Sequence, residues 1–273
     1  MDFKNNFFFK IYLNNILFDK NKKNIILIIK KSVGEIDWIL PVLDSLKQEF
    51  NIFTIFQKKI TLEHLQKKSS ILFDIWKNTS FAYTIQPNLK AIFLRSIRKI
   101  FSILRIKNLF FLDNIINKKG YNVSELITCI NKKLNLPLVK FELPEALFVE
   151  FTNKSQWIDQ MKNQKTPLKI FQFPHTTTIF GSTNTDVEKS KIEEKGVSSS
   201  SEKNEILLLS NKMDRSYWES FFPYNKIYVC GYLKYDQPWK DKIFNNISNK
   251  ENKHNVATLE GKKIILVSYN GFK

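Results

Sequence analysis

A histidine follows a short apolar run in residues 171–182, whose sequence is FQFPHTTTIFGS. His175 is one of only 3 histidines in the chain, and Thr176 and Thr177 come directly after it. A neutral imidazole can take a proton from a hydroxyl near neutral pH, so His175 is a candidate general base. The two threonines offer hydroxyls and backbone N–H groups to a substrate. The alternative is that His175 is a loop residue bonded to neighbouring backbone.

A second group of polar residues follows the apolar run at 24–31, NIILIIKK. Gly34, Glu35 and Asp37 lie in the loop that this pattern predicts, ahead of a helix over 38–50. Ligands of open α/β sheets bind beyond the carboxyl ends of the strands, so all three are candidate substrate-binding residues. Asp37 also suits the N-cap of the predicted helix, which would place Pro41 in its first turn.

The elements that must position these residues follow from the apolar pattern. Residues 24–31 and 51–56 have apolar, β-branched centres, which is typical of strands buried on both faces of a parallel sheet. The amphipathic helix between them completes a βαβ unit. Similar runs predict further strands at 146–151, 168–173, 205–210, 226–230 and 262–268. The chain is therefore predicted to have an α/β fold, with a Rossmann-like parallel sheet flanked by helices.

Composition divides the 273-residue chain into a large domain, a linker and the start of a second domain. Residues 1–239 form the predicted N-terminal domain, in which the serine-rich segment 182–204 predicts a mobile loop. Residues 240–260 are polar and predict an interdomain linker. The apolar run within 261–273 predicts the first strand of a truncated second domain, because a buried parallel strand needs helices to cover it.

The formal net charge is +17, but the lysines are scattered and form no Arg-rich or basic-aromatic motif. We therefore predict no nucleic-acid partner; an AT-rich coding bias gives the same excess of lysine without any partner.

Cys129 and Cys230 lie in separate apolar runs without metal-ligand spacing, which favours reduced thiols in the cytoplasm and no metal site. No apolar run reaches ~18 residues, and no signal-peptide pattern begins the chain.

Residues 88–112 form the most distinctive predicted helix, with apolar residues on one side and basic residues on the other. Arg95, Arg98, Lys99 and Arg105 belong to the basic side, and the span contains no acidic residue. Such a helix suits peripheral binding to an anionic membrane surface. The alternative is an ordinary core helix whose basic side is solvated.

Four segments in a fixed order resemble the CDP-glycerol glycerophosphotransferase-like and surface-carbohydrate biosynthesis proteins, which are two-domain transferases of the glycosyltransferase-B type. The segments are IILIIKKSVGEIDWILPVLDSLK (25–47), FPHTTTIF (173–180), EILLLSNKMDRSYWESFF (205–222) and KIYVCGYLKYDQPW (226–239), followed by KKIILVS (262–268). The chain departs from that pattern at Thr176, where glycine is usual. It departs again at Leu233 and Lys234, where Pro-Arg is usual.

The resemblance implies that this chain is the N-terminal part of a cytoplasmic, peripheral membrane transferase for capsule-type polysaccharide or teichoic-acid-like polymers of the cell envelope. His175 would be the base for a membrane-linked glycan or polymer acceptor. The donor, a CDP- or UDP-linked glycerophosphate or sugar, would bind mainly to a second domain, which a separate gene could encode. This chain alone would then bind no cofactor.

Two other functions suit the same residues. One is a membrane-associated binding domain, or an inactive remnant, without catalysis. The other is a nucleotide-sugar epimerase of similar fold, because a shared fold does not fix the chemistry.

Overall fold

The computed structural model describes residues 9–30, 32–86, 123–135, 141–150, 168–173, 204–212, 215 and 226–251. The strands are β1 (Ile11–Leu13), β2 (Lys23–Ile29), β3 (Phe50–Phe56), β4 (Ala82–Ile85), β5 (Ala146–Glu150), β6 (Lys169–Phe173), β7 (Glu205–Leu209) and β8 (Ile227–Val229). The helices are α1 (Val33–Leu46), α2 (Lys59–Lys68), α3 (Ser70–Lys77), α4 (Val123–Leu134) and α5 (Gln237–Glu251), with a 3-10 turn at Leu233–Tyr235.

The eight strands of the described residues form one sheet, in the order β1-β4-β3-β2-β5-β6-β7-β8. β1 is antiparallel to β4, and every neighbouring pair from β4 to β8 is parallel. From β2, the chain moves outward to β4 and then crosses back to continue from β5 to β8 on the other side. This is the doubly wound order of Rossmann-like domains. The predicted α/β fold is therefore confirmed.

Both faces of the sheet are covered, which explains why β2 is apolar along its length. Ile25, Leu27 and Ile29 belong to a core that also contains residues of α1, α2, α3 and α5. Ile26 and Ile28 point the opposite way, into a second core that contains residues of α4. Because successive side chains of a strand alternate between faces, a strand covered on both sides needs a continuous apolar run.

Helix α1 begins earlier than the sequence pattern predicted. Its N-cap is Ser32, so Gly34 lies within the first turn instead of in a loop. Asp37 is a helical residue, and its predicted role as the N-cap is wrong. The cause is Glu35, whose carboxylate accepts the Ser32 N–H and so satisfies a donor at the helix terminus. Pro41 accordingly lies inside the helix, beyond the first turn.

Residues 240–251, predicted to be the first part of a linker, form most of helix α5. Trp239 and Ile243 lie four residues apart and pack against the core that contains α1. This spacing places both side chains on one face of a helix, and burial of that face stabilises α5 against the domain. The remainder of the predicted linker, 252–260, and the predicted strand in 261–273 lie outside the described residues.

Asp44 of α1 holds α5 in place through charged hydrogen bonds, and we expect Asp44→Asn to loosen this contact. The carboxylate accepts Lys47 Nζ at 2.8 Å and also binds Lys242 of α5. Burial alone would raise the pKa of Asp44, but the two ammonium groups lower it below its ordinary value of 3.8. The substitution should reduce the free energy of unfolding by about 1–2 kcal/mol at neutral pH.

The pH dependence of this contact follows from the direction of the shift. A carboxylate whose folded-state pKa is depressed stabilises the fold above 3.8 and loses that contribution as pH falls through the folded pKa. Urea unfolding of wild type and Asp44→Asn should therefore differ at neutral pH and converge in acid. A difference that persists unchanged below the folded pKa would contradict this assignment.

Candidate functional site

The carboxyl ends of β2 and β5 form the switch point of the sheet. These strands are neighbours, but the chain leaves β2 toward β3 and leaves β5 toward β6, in opposite directions. Ligands of doubly wound sheets bind in the crevice beyond such a point. The residues that follow β2, β6, β7 and β8 share this edge, because those strands are parallel. We therefore take this edge as the candidate site.

Glu35 lies in the first turn of α1, beside the crevice, and is only 1% exposed. Its Oε2 accepts the Lys30 N–H at 2.7 Å, and its Oε1 accepts the Ser32 N–H at 3.1 Å. The Ser32 N–H belongs to the helix N-cap and the Lys30 N–H to the connection after β2, so the carboxylate occupies one donor at the N-terminus of the helix and one beside it. These are the bonds of an internal helix cap, and substrate binding by Glu35 stays a prediction. Gly34, which precedes Glu35, is half-buried and stays a candidate for substrate binding.

Trp38 connects α1 to the ends of two strands on the same edge. Its ring stacks on Phe173, the last residue of β6, with centroids 5.5 Å apart and planes inclined by 13°. Its Nε1–H donates to the Oγ of Ser210, which follows β7, at 3.2 Å. All three residues are buried. This arrangement fixes the position of α1 relative to the points where the chain leaves β6 and β7.

Asp37 is paired with a lysine 197 residues away in sequence. Lys234 Nζ, in the 3-10 turn after β8, donates to Asp37 Oδ2 at 2.9 Å. Burial alone would lower the pKa of Lys234, but the hydrogen bond and the charge of Asp37 raise it above 10.5. The pair therefore places a permanent positive charge and an oriented carboxylate at the edge.

A further hydrogen bond joins the segments that follow β7 and β8. Asn211 Nδ2 donates to the Oη of Tyr232 at 3.0 Å. Gly231 has φ +79°, a backbone conformation that L side chains rarely adopt, and it allows the chain to turn sharply after β8. Replacing Gly231 would therefore strain the segment that carries Tyr232, although a Cβ there would meet no other atom within 4 Å.

The edge thus brings together residues that the sequence analysis did not propose as site residues, although it noted Lys234 as a departure from the family pattern. Each of them lies in a segment that directly follows a parallel strand, and this position is the signal that could have identified them. They are Trp38, Ser210, Asn211, Tyr232 and Lys234.

Several predicted site residues cannot be placed on this edge. His175, Thr176 and Thr177 lie outside the described residues, although the strand that precedes them ends at Phe173. The basic residues of the predicted membrane-binding helix, Arg95, Arg98, Lys99 and Arg105, also lie outside the described part of the chain. Their proposed roles stay predictions.

Within the described ranges, no group of three or more His, Cys, Asp or Glu residues is arranged to hold a metal ion. No helix in the same part of the chain is long and apolar enough to cross a membrane. The polar groups of the edge are a carboxylate, an amide, a phenol, hydroxyls and an ammonium group. This set can hydrogen-bond hydroxyls and neutralise an anion without further groups.

The strand order defines a Rossmann-like α/β domain, and the polar residues at the carboxyl edge of its sheet define a candidate site at the switch point. Comparison of the chain with protein-family models, with curated proteins and with solved structures gave no match.

Proposed function

We propose that this chain is the acceptor-side domain of a cytoplasmic transferase that synthesises cell-surface polysaccharide or teichoic-acid-like polymers. One observation carries the proposal: four segments far apart in sequence meet at one edge of the sheet. Helix α1 and the segments at the ends of β6, β7 and β8 are joined there by direct side-chain contacts. These segments are the ones in which the chain resembles transferases of the glycosyltransferase-B type.

The chemistry of the edge suits a hydroxyl-rich acceptor such as a polyol or a sugar. Asp37, Asn211 and Tyr232 present a carboxylate, an amide and a phenol, all of which hydrogen-bond hydroxyls. Lys234 donates one N–H to Asp37, and its ammonium group could donate another to a phosphate of the acceptor or of the incoming donor. An acceptor of this kind would be held by hydrogen bonds instead of by a large apolar surface.

The head of α1 supports placing the donor elsewhere. In dinucleotide-binding sheets, a diphosphate binds to the N–H groups at the start of the first helix. Here Glu35 accepts hydrogen bonds from this region, and its negative charge would repel a phosphate. We therefore propose that the CDP- or UDP-linked donor binds mainly to a second domain. The Rossmann-like domain would bind the acceptor.

His175 is the proposed general base of the reaction. Only Pro174 stands between it and Phe173 at the end of β6, so at most about 7 Å of extended chain separates the two positions. The acceptor hydroxyl would attack the phosphorus or anomeric carbon of the donor while its proton passes to His175. The nucleotide then leaves with the bonding electrons. Thr176 and Thr177 would hold the acceptor or the transferred group through their hydroxyls.

The test is a transfer assay with labelled CDP-glycerol and UDP-sugars, using a membrane fraction as acceptor. The chain is assayed alone and mixed with the protein encoded directly downstream of it. We expect transfer into the membrane fraction in the mixture, and its loss in His175→Ala. His64→Ala is the matched control, because His64 is an exposed histidine of α2 and should leave activity unchanged.

Three results would contradict the proposal. Full activity in His175→Ala would exclude His175 as the base. No transfer by a folded chain in either sample would favour the membrane-associated binding domain or the inactive remnant. Interconversion of UDP-sugars without transfer would favour the epimerase.

A further inference from the structure

A groove of about 510 Å³ lies between α3, the 3-10 turn and α5. Its volume falls within the range of small-molecule sites. The lining includes the apolar side chains of Ile71, Leu72, Trp239 and Ile243. Phe244 completes the apolar lining and is itself 62% exposed. Phe244 therefore extends the apolar lining of the groove outward to the protein surface.

The polar part of the same groove is basic. Lys68, Lys234 and Lys240 line it, whereas Asp37 is the only acidic residue among the described residues of the lining. Asp37 is already bound by Lys234. Lys68 and Lys240 are exposed, and among the residues that the structure describes their ammonium groups have no ion-pair or hydrogen-bond partner; the backbone N–H of Lys240 donates to the Asp236 carbonyl at the start of α5. The groove therefore presents two uncompensated positive charges next to an apolar surface.

We propose that this groove binds an anionic amphiphile: a phosphate monoester, held by Lys68 and Lys240, on a hydrocarbon chain that packs against Phe244. A free inorganic anion would leave the apolar lining in water. A neutral amphiphile would leave the two ammonium groups without a partner. Only a ligand with both parts satisfies both surfaces. The groove shares Asp37 and Lys234 with the proposed acceptor site. The inference itself depends on Lys68, Lys240 and Phe244, and none of these has a role in the proposed transferase reaction.

The test measures binding of octyl phosphate to the whole chain by isothermal titration calorimetry, below the concentration at which octyl phosphate forms micelles. Octyl glucoside, which has the same chain and a neutral head, and inorganic phosphate are the two ligand controls. We expect saturable one-to-one binding of octyl phosphate alone. The double variant Lys68→Gln/Lys240→Gln should raise its Kd by about tenfold. Phe244→Ser should weaken binding several-fold through lost apolar contact.

Lys133→Gln is the matched control, because Lys133 is an exposed lysine of α4, on the opposite face of the sheet. It should leave the Kd unchanged. The three variants change only exposed positions, so their thermal melts should match wild type. Equal affinity for octyl glucoside, or an unchanged Kd in the double-lysine variant, would overturn the proposal.

A second arm distinguishes the two sources of such a ligand. Vesicles of phosphatidylcholine with phosphatidic acid carry the same phosphate monoester in a membrane. Sedimentation of the chain with these vesicles, reduced in the double-lysine variant, would support the groove and identify its ligand as a lipid head. Octyl phosphate binding without sedimentation would support the groove and identify a soluble amphiphile. If the chain neither binds octyl phosphate nor sediments with the vesicles, the proposed binding role of the groove is wrong. The outcome of the transfer assay does not depend on this result.

Discussion

Replacing Trp38 with alanine is expected to lower the free energy of unfolding by about 3–5 kcal/mol, the range for truncating a buried aromatic side chain. The indole is 5% exposed, stacks on Phe173 and donates its N–H to Ser210. Alanine removes the apolar contact and leaves a cavity between α1 and the sheet. Urea unfolding followed by circular dichroism measures the loss, and the Tm should fall by roughly 10 °C.

Two smaller changes separate the hydrogen bond from the packing. Trp38→Phe keeps a ring against Phe173 but removes the donor, and should cost about 1–2 kcal/mol. Ser210→Ala keeps the indole but leaves its buried N–H without an acceptor, and should cost about 1–3 kcal/mol. The double variant Trp38→Phe/Ser210→Ala removes both the donor and the acceptor of this hydrogen bond. Its loss in the free energy of unfolding should be smaller than the sum of the losses in the two single variants. If Trp38→Ala were no more destabilising than Trp38→Phe, the stacking on Phe173 would not contribute.

The position of Trp38 gives this contact a consequence beyond stability. Phe173 is the last residue of β6, so the indole determines where the chain leaves the sheet toward the segment that contains His175. The same indole is bound to Ser210, at the end of β7. A substitution that shifts α1 would therefore displace two of the four segments that form the proposed acceptor site.

Much of the sheet could be predicted because its strands are buried on both faces. The runs that include β2, β3 and β7 are long and apolar, and such runs identify central parallel strands without any partner in view. β1 gave no comparable signal: it has three residues, of which only Ile11 is buried. A strand this short has no measurable alternation, and only its pairing with β4 defines it.

Helix boundaries and long-range contacts were harder to predict for different reasons. Ser32 and Glu35 have the spacing of a capping box, but Gly34 between them suggested a loop. The bond between the Ser32 N–H and the Glu35 carboxylate, a local contact, favours the helix instead. Helix α5 has few apolar residues, so its polar composition suggested a linker. Its buried contacts depend mainly on Trp239 and Ile243. The pairing of Asp37 with Lys234 follows from the order of the strands, which no local pattern of residues contains.

Glu35→Ala is the second substitution with a large expected effect, about 2–3 kcal/mol of lost stability. The carboxylate is 1% exposed and accepts the N–H groups of Lys30 and Ser32. Alanine leaves both donors without this acceptor and removes a negative charge from the head of α1, where it interacts favourably with the helix dipole. Glu49→Ala is the matched control, because Glu49 is an exposed carboxylate just beyond the other end of α1, and should change stability by less than about 0.5 kcal/mol.

A small anion should partly rescue the alanine variant, and this result would bear directly on function. Removing the Glu35 side chain exposes N–H groups that a formate or acetate ion could accept, so either salt should raise the Tm of Glu35→Ala more than that of Glu49→Ala. Sodium chloride at equal ionic strength controls for screening. Rescue would establish the head of α1 as an anion site that the protein fills with its own carboxylate. The donor phosphates would then need donors elsewhere, as the proposed division between acceptor and donor domains requires. If formate or acetate raised the Tm of the two variants equally, Glu35 would stabilise α1 without occupying an anion site. The proposal that the donor binds to another domain would then lose this argument.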